Sequence, residues 1–170
     1  MSDTMNFSSL REYFYRLYNA CLSRLLLMMG LYLLIYYLSL SGIVSPYIQE
    51  LELVDFLRYT FLVLLIASLT IVHLVAVKRL KVYATTVGLG DKLDLYYSVV
   101  KLKVRALVGV SLFSATGLLV TGHQWFGLYF AGMLVWLALQ WPTPRKVSRD
   151  LKLKGDERTM VLTKGEAFRF

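Results

Sequence analysis

Residues 25–44 run for twenty positions without a charged side chain. As an α-helix rising about 1.5 Å per residue, such a run covers roughly 30 Å, the depth of a bilayer core. Charge-free runs recur at 59–77, 106–120 and 125–141, with only Thr121-Gly122-His123-Gln124 between the last two. That gap fits a tight helical hairpin. Trp125, Trp141 and Tyr59 stand at run ends, where amphipathic rings favour the headgroup level. The prediction is an all-α, integral membrane four-helix bundle with spans at about 25–44, 59–77, 106–120 and 125–141. Composition agrees: 57% of the 170 residues are hydrophobic and 18% charged, against about 45–50% apolar in soluble domains. The first run is longer than a signal-peptide core and lacks an A-x-A site, so it reads as a span rather than a cleaved leader.

The distribution of charge orients these spans. Eighteen of the nineteen Lys and Arg residues fall in residues 1–24, 78–105 and 142–170; Arg58 alone falls elsewhere, in a connection that carries Glu50, Glu52 and Asp55. The positive-inside rule then puts both termini and the central loop in the cytoplasm. The domain reading is a cytoplasmic amphipathic segment (1–24), a bundle (25–141) with a central cytoplasmic loop and interfacial helix at 78–105, and a cytoplasmic tail (142–170). The sequence charge of +8 is explained by orientation and anionic headgroups, and nucleic acid is not expected as a partner. Arg11, Arg16, Lys101, Lys103, Arg145 and Lys146 are the headgroup candidates.

Local signals organise the lead-in segments. Ser9 and Glu12 have capping-box spacing ahead of Leu10, Tyr13, Phe14, Leu17, Tyr18 and Cys21. Asp91 offers a similar N-cap before Leu93, Tyr96, Val100 and Val104. At an offset of 81, Tyr15 pairs with Tyr96, Arg24 with Arg105 and Leu26 with Leu107. This suggests two parallel repeats, each an interfacial helix plus a spanning hairpin. In the tail, Thr143 and Pro144 fit an N-cap and a first helical position, with a helix over 145–151 that Gly155 stops. Asp156 then caps a second short helix through Leu162, and Met160, Val161 and Leu162 are available for docking.

Lys92-Leu93, Tyr96 or Tyr97, Arg105-Ala106-Leu107, Val120-Thr121-Gly122, Pro142-Thr143, Lys146 and Asp150-Leu151 follow in this order. In these residues the chain resembles a family of small, uncharacterised bacterial four-helix integral membrane proteins, over roughly residues 91–162. The resemblance implies four helices in a bacterial cytoplasmic (inner) membrane, and no activity or ligand.

Several chemistries are excluded. With Cys21 as the single cysteine, neither an intramolecular disulfide nor a Cys-x-x-Cys relay is possible. His73 and His123 lie near opposite boundaries, about 20 Å apart in depth, too far for a shared haem. No His/Cys/Asp/Glu cluster has metal spacing, and the interiors of the runs lack the charge that marks ion coupling. Asp55 and Arg58, three apart, read as an interface pair. Gly88-Leu89-Gly90 lacks a phosphate-binding context and reads as a turn. No enzyme activity and no cofactor are expected.

What remains is helix association. Ser111, Ser114, Gly117 and Thr121 share one face of the third span, and Gly127, Ala131 and Ala138 a stripe of the fourth; small and hydroxyl residues hold helices together where lipid removes the hydrophobic drive. Ala67, Thr70 and His73 form a ridge on the second span, and Tyr32 matches their depth, so a Tyr32 hydrogen bond to Thr70 or His73 is expected. The functional expectation is a non-enzymatic accessory, scaffold or assembly subunit, homo- or hetero-oligomeric, in a bilayer with anionic headgroups. The alternative is a small homo-oligomeric channel or facilitator.

Overall fold

The computed structural model describes residues 9–48, 50–86 and 88–165. Expectations placed on 1–8 and 166–170 lie outside the described residues. Among the described residues there are six helices and no strand: α1 Leu10–Leu40, α2 Leu51–Tyr83, α3 Leu89–Thr121, α4 Trp125–Leu139, α5 Pro144–Asp150 and α6 Gly155–Leu162. Three of them, α1, α2 and α3, are long and apolar enough to cross a membrane, as in a membrane protein. The fourth, α4, has 15 residues, roughly 22 Å of helix. It stops two residues before the expected end, because Pro142 disfavours helical geometry at Trp141.

The helices do not break where the sequence reading placed interfacial segments. Residues 78–83 complete α2, a turn over 84–86 follows, and 89–105 are the first half of α3; among the described residues there is no separate helix over 78–105. The amphipathic segment before Arg24 likewise continues directly into α1. The physical reason lies in the side chains: Tyr13, Leu17, Cys21, Met28 and Tyr32 are all buried, at steps of four and seven, so one stripe passes from lead-in to span without changing face. At the other end of α2, the helix starts at Leu51, well ahead of the apolar run.

The proposed repeat loses its footing on the same grounds. Tyr15 is 70% exposed while its partner Tyr96 is 2% exposed, and Leu26 is exposed while Leu107 is buried. Two of the three pairs at the 81 offset therefore occupy opposite kinds of environment.

Contacts divide the chain into two compact units. The first holds the described residues of 1–22, 73–103 and 141–170. Its core joins Tyr13, Phe14, Leu17 and Cys21 of α1, Ala76 and Leu80 of α2, and Leu93, Tyr96 and Val99 of α3. The Tyr13 hydroxyl donates to the Leu93 carbonyl at 2.8 Å. The Ser9 hydroxyl accepts from the Glu12 amide, as the capping-box spacing predicts. Asp91 is not the cap of α3: the helix begins at Leu89 and Asp91 falls within its first turn, where an acid still complements the helix dipole.

The tail closes this unit. Thr143 accepts from the Lys146 amide and Pro144 opens α5. Two details differ from expectation. The helix ends at Asp150, with Lys152 turning the chain at positive φ, and Gly155 starts α6 instead of stopping α5. Lys154 is the N-cap of α6, and Asp156 lies in the first turn. Val161 is fully buried, whereas Leu162 is exposed. The Lys92 ammonium meets the Glu157 carboxylate at 2.8 Å.

The second unit comprises Ser23–Val72 and Val104–Gln140. Its α4 buries Phe126, Phe130, Met133 and Leu137, a helical stripe of large residues. Of the α2 residues in this unit only Val54 is buried, and Val63, Leu64, Ile66 and Ile71 are exposed. The loop after α1 is tied to α3: the Tyr47 and Ile48 amides both donate to the Val120 carbonyl, at 2.9 and 3.1 Å, which satisfies a helix-end acceptor. Gly122 turns the chain at φ +64, with the Pro46 ring 2.8 Å from where a Cβ would sit, so position 122 takes glycine for both conformation and space.

Candidate functional site

The polar stripe of α3 is largely consumed by contacts within the second unit. Ser114 donates to the Phe126 carbonyl at 2.7 Å, bonding α3 to α4. Ser111 and Thr121 donate to the Val108 and Gly117 carbonyls of their own helix, both at 2.8 Å. Gly117 is covered by the Phe126 ring, which stands where a Cβ would be. Four predicted positions, Ser111, Ser114, Gly117 and Thr121, are thus buried together on one face.

The α4 stripe is corrected. Gly127 approaches the Tyr32 hydroxyl, but Ala131 and Ala138 are exposed. The Tyr32 ring stacks on Phe130 at 4.0 Å between centroids and 5° between planes, so α4 meets Tyr32 of α1 through Phe130 and Gly127 rather than through Ala131 or Ala138. This also overturns the expected Tyr32 hydrogen bond. Thr70 and His73 are exposed on α2, and the buried Tyr32 hydroxyl has no hydrogen-bond partner among the described residues.

A feature the sequence reading did not assemble lies at the N-terminal end of α2. Arg58 pairs with Asp55 at 3.3 Å, as expected. Its guanidinium also lies over the Tyr59 ring at 4.7 Å and the Trp125 ring at 5.3 Å and donates from Nη2 to the Tyr59 hydroxyl at 2.9 Å, while the Arg58 backbone carbonyl accepts from the Tyr129 hydroxyl at 3.3 Å. One turn further along α2, a half-open cleft of about 160 Å³ is lined by Phe61, Leu65, Val110, Phe113, Ser114 and Tyr129 among others. Phe61 meets Phe126 edge-on at 5.3 Å and Phe113 at 6.4 Å. The available signal was Arg58 itself, the single Lys or Arg between residues 25 and 77.

The six basic candidates separate. Arg11 and Arg145 are exposed, and Arg16, also exposed, pairs with Glu12. Lys101 and Lys146 are half-buried. Lys103 is only 8% exposed, which removes it from any headgroup surface; burial first, and Lys146 second, push its ammonium below the usual lysine range, while Asp150 opposes the shift. Lys146 moves the same way, again through burial first. Asp150 also receives a hydrogen bond from Tyr96, whose hydroxyl is raised above the ordinary tyrosine value by burial and then by that carboxylate. The sequence reading missed Asp150 as the hub of this cluster. No group of three or more potential metal ligands occurs among the described residues. No protein-family model, curated protein or solved structure matches the chain.

Proposed function

We propose that this chain is an integral membrane protein that works by association, as an accessory, scaffold or assembly subunit and not as an enzyme. The reading supplies what length alone leaves open: four spans, α4 being the short one, with both termini in the cytoplasm of a bacterium and the basic residues on that side. One observation carries it. The hydroxyls that would line a path through the second unit bond to helix carbonyls instead, while α2 keeps Val63, Ile66 and Ile71 outward. Polar groups serve cohesion, and the broad apolar face remains for lipid or a neighbouring helix.

Purification in mild detergent after expression beside its native neighbours tests this. A partner at fixed stoichiometry, joined by a photo-crosslinker at Ile66 or Ile71, is the expected result. A chain that runs strictly alone, together with solute or ion flux in reconstituted vesicles, overturns it in favour of a channel or facilitator.

A further inference from the structure

We propose that the cleft beside α2 is a site for one anionic phospholipid, with an acyl chain against Phe61, Leu65 and Phe113 and its phosphate on the Arg58 guanidinium. The proposal rests on α2 crossing a membrane and goes beyond the association reading.

The two halves of such a ligand are matched in order along α2. Arg58, Phe61, Leu65 and Ser68 follow at steps of three and four, so they lie on one helix face, and the last three line the cleft. The cleft is apolar apart from hydroxyls, one of which, Ser114, is already bonded to the Phe126 carbonyl. A dry cavity of about 150 Å³ lined by Leu, Ile and Phe accommodates a molecule the size of benzene. A cleft of about 160 Å³ therefore receives a short stretch of acyl chain rather than a helix. Phe113 is 62% and Leu64 54% exposed, so the cleft opens sideways, the direction from which a lipid tail arrives.

At the Phe61 end stands the cation. Among the described residues the polar side-chain partners of Arg58, Asp55 and Tyr59, both meet Nη2, leaving Nη1 and Nε, the geometry that binds phosphate oxygens in a fork. Tyr59 and Trp125 flank the guanidinium, the ring types that settle at headgroup depth. Tyr129 links the two parts, lining the cleft while its hydroxyl bonds the Arg58 carbonyl. Asp55 opposes the phosphate charge, so it tunes affinity downward.

Native mass spectrometry from vesicles of equal phosphatidylglycerol and phosphatidylethanolamine, with identical chains, reads this directly. One phosphatidylglycerol is retained in preference to phosphatidylethanolamine by about fivefold, the scale of one basic residue at an anionic surface. R58Q brings the two lipids to parity, D55N increases the preference, and S68F lowers retention of both. Glycerol phosphate without tails does not compete. Circular dichroism and elution volume establish folding of each variant, and if R58Q fails there, D55N decides in the folded chain. Equal retention by the parent, an unchanged preference in D55N, or competition by glycerol phosphate overturns the site. So does a dimer that S68F dissolves without change in lipid, which assigns the cleft to a second copy. Release of the chain by alkaline carbonate overturns the membrane reading instead.

Discussion

The Phe126 ring covers Gly117 so closely that it fills the position of a Cβ, and one turn earlier Ser114 donates to the carbonyl of the same Phe126. Backbone and ring of one α4 residue are therefore both held by α3. Gly117→Ala forces the ring aside, and overpacking of this kind costs about 1–3 kcal/mol. Thermal melting in detergent is expected to fall for G117A and to recover in G117A/F126L, where the ring is gone. An unchanged melting point in G117A contradicts the contact.

Ser114→Ala removes the α3–α4 bond and leaves the Phe126 carbonyl to its helix. Interhelical hydrogen bonds in membrane proteins average about 0.6 kcal/mol. A loss of that order is expected in unfolding from mixed micelles. A double-mutant cycle with G117A is expected to be non-additive, since both act through Phe126.

Tyr32 gives the opposite result from the one its depth in the sequence suggests. Its hydroxyl is buried without a hydrogen-bond partner among the described residues, so Tyr32→Phe relieves a desolvation cost of about 1–3 kcal/mol or less and keeps the stack on Phe130. Stability is expected to hold or rise in Y32F and to fall in Y32A. A marked loss in Y32F points to a hydrogen bond at Tyr32 after all.

Alkaline pH acts on the first unit through Tyr96, which lies before the span of α3. Burial, then Asp150, raise its folded value, and burial raises that of Tyr13 too. An unfolded tyrosine ionises near about 10. The stability from these groups is present below that pH, and is lost as pH rises from it toward the folded values. Melting followed from about pH 9 to about pH 11 is expected to fall, less steeply for Y96F.

The tail is held by Val161 and by the ion pair of Lys92, 13% exposed, with Glu157. Breaking a partly buried pair from one side strands the other charge. Glu157→Gln and Val161→Ala are both expected to speed tryptic cleavage at Lys152 and Lys154, with V161A costing about 0.5–2 kcal/mol. Equal cleavage rates for parent and variants contradict a docked tail.

Much was legible where side-chain chemistry varies along the helix. The lead-in stripes at Tyr13, Leu17 and Cys21 and at Leu93, Tyr96 and Val100 were read from period alone, because their opposite faces are polar. The caps Ser9 and Thr143 were read from local hydrogen-bonding capacity. By contrast α4 is apolar on every side, so periodicity could not distinguish the face of Ala131 from the face of Phe130. The Arg58 cluster was missed beyond Asp55, since Trp125 and Tyr129 reach it from far along the chain.

The sequence by itself determined that the chain is helical, where its apolar runs lie and how its charge is distributed, since those follow from composition along one strand of chain. Tertiary structure alone decided that the lead-ins run on into the spans of α1 and α3, that Tyr32 stacks on Phe130 instead of bonding Thr70, and that Lys103 is buried. When every face of a helix is apolar, hydrophobicity cannot choose among them. Shape does, and shape is fixed only when a neighbour such as Phe126 settles over Gly117.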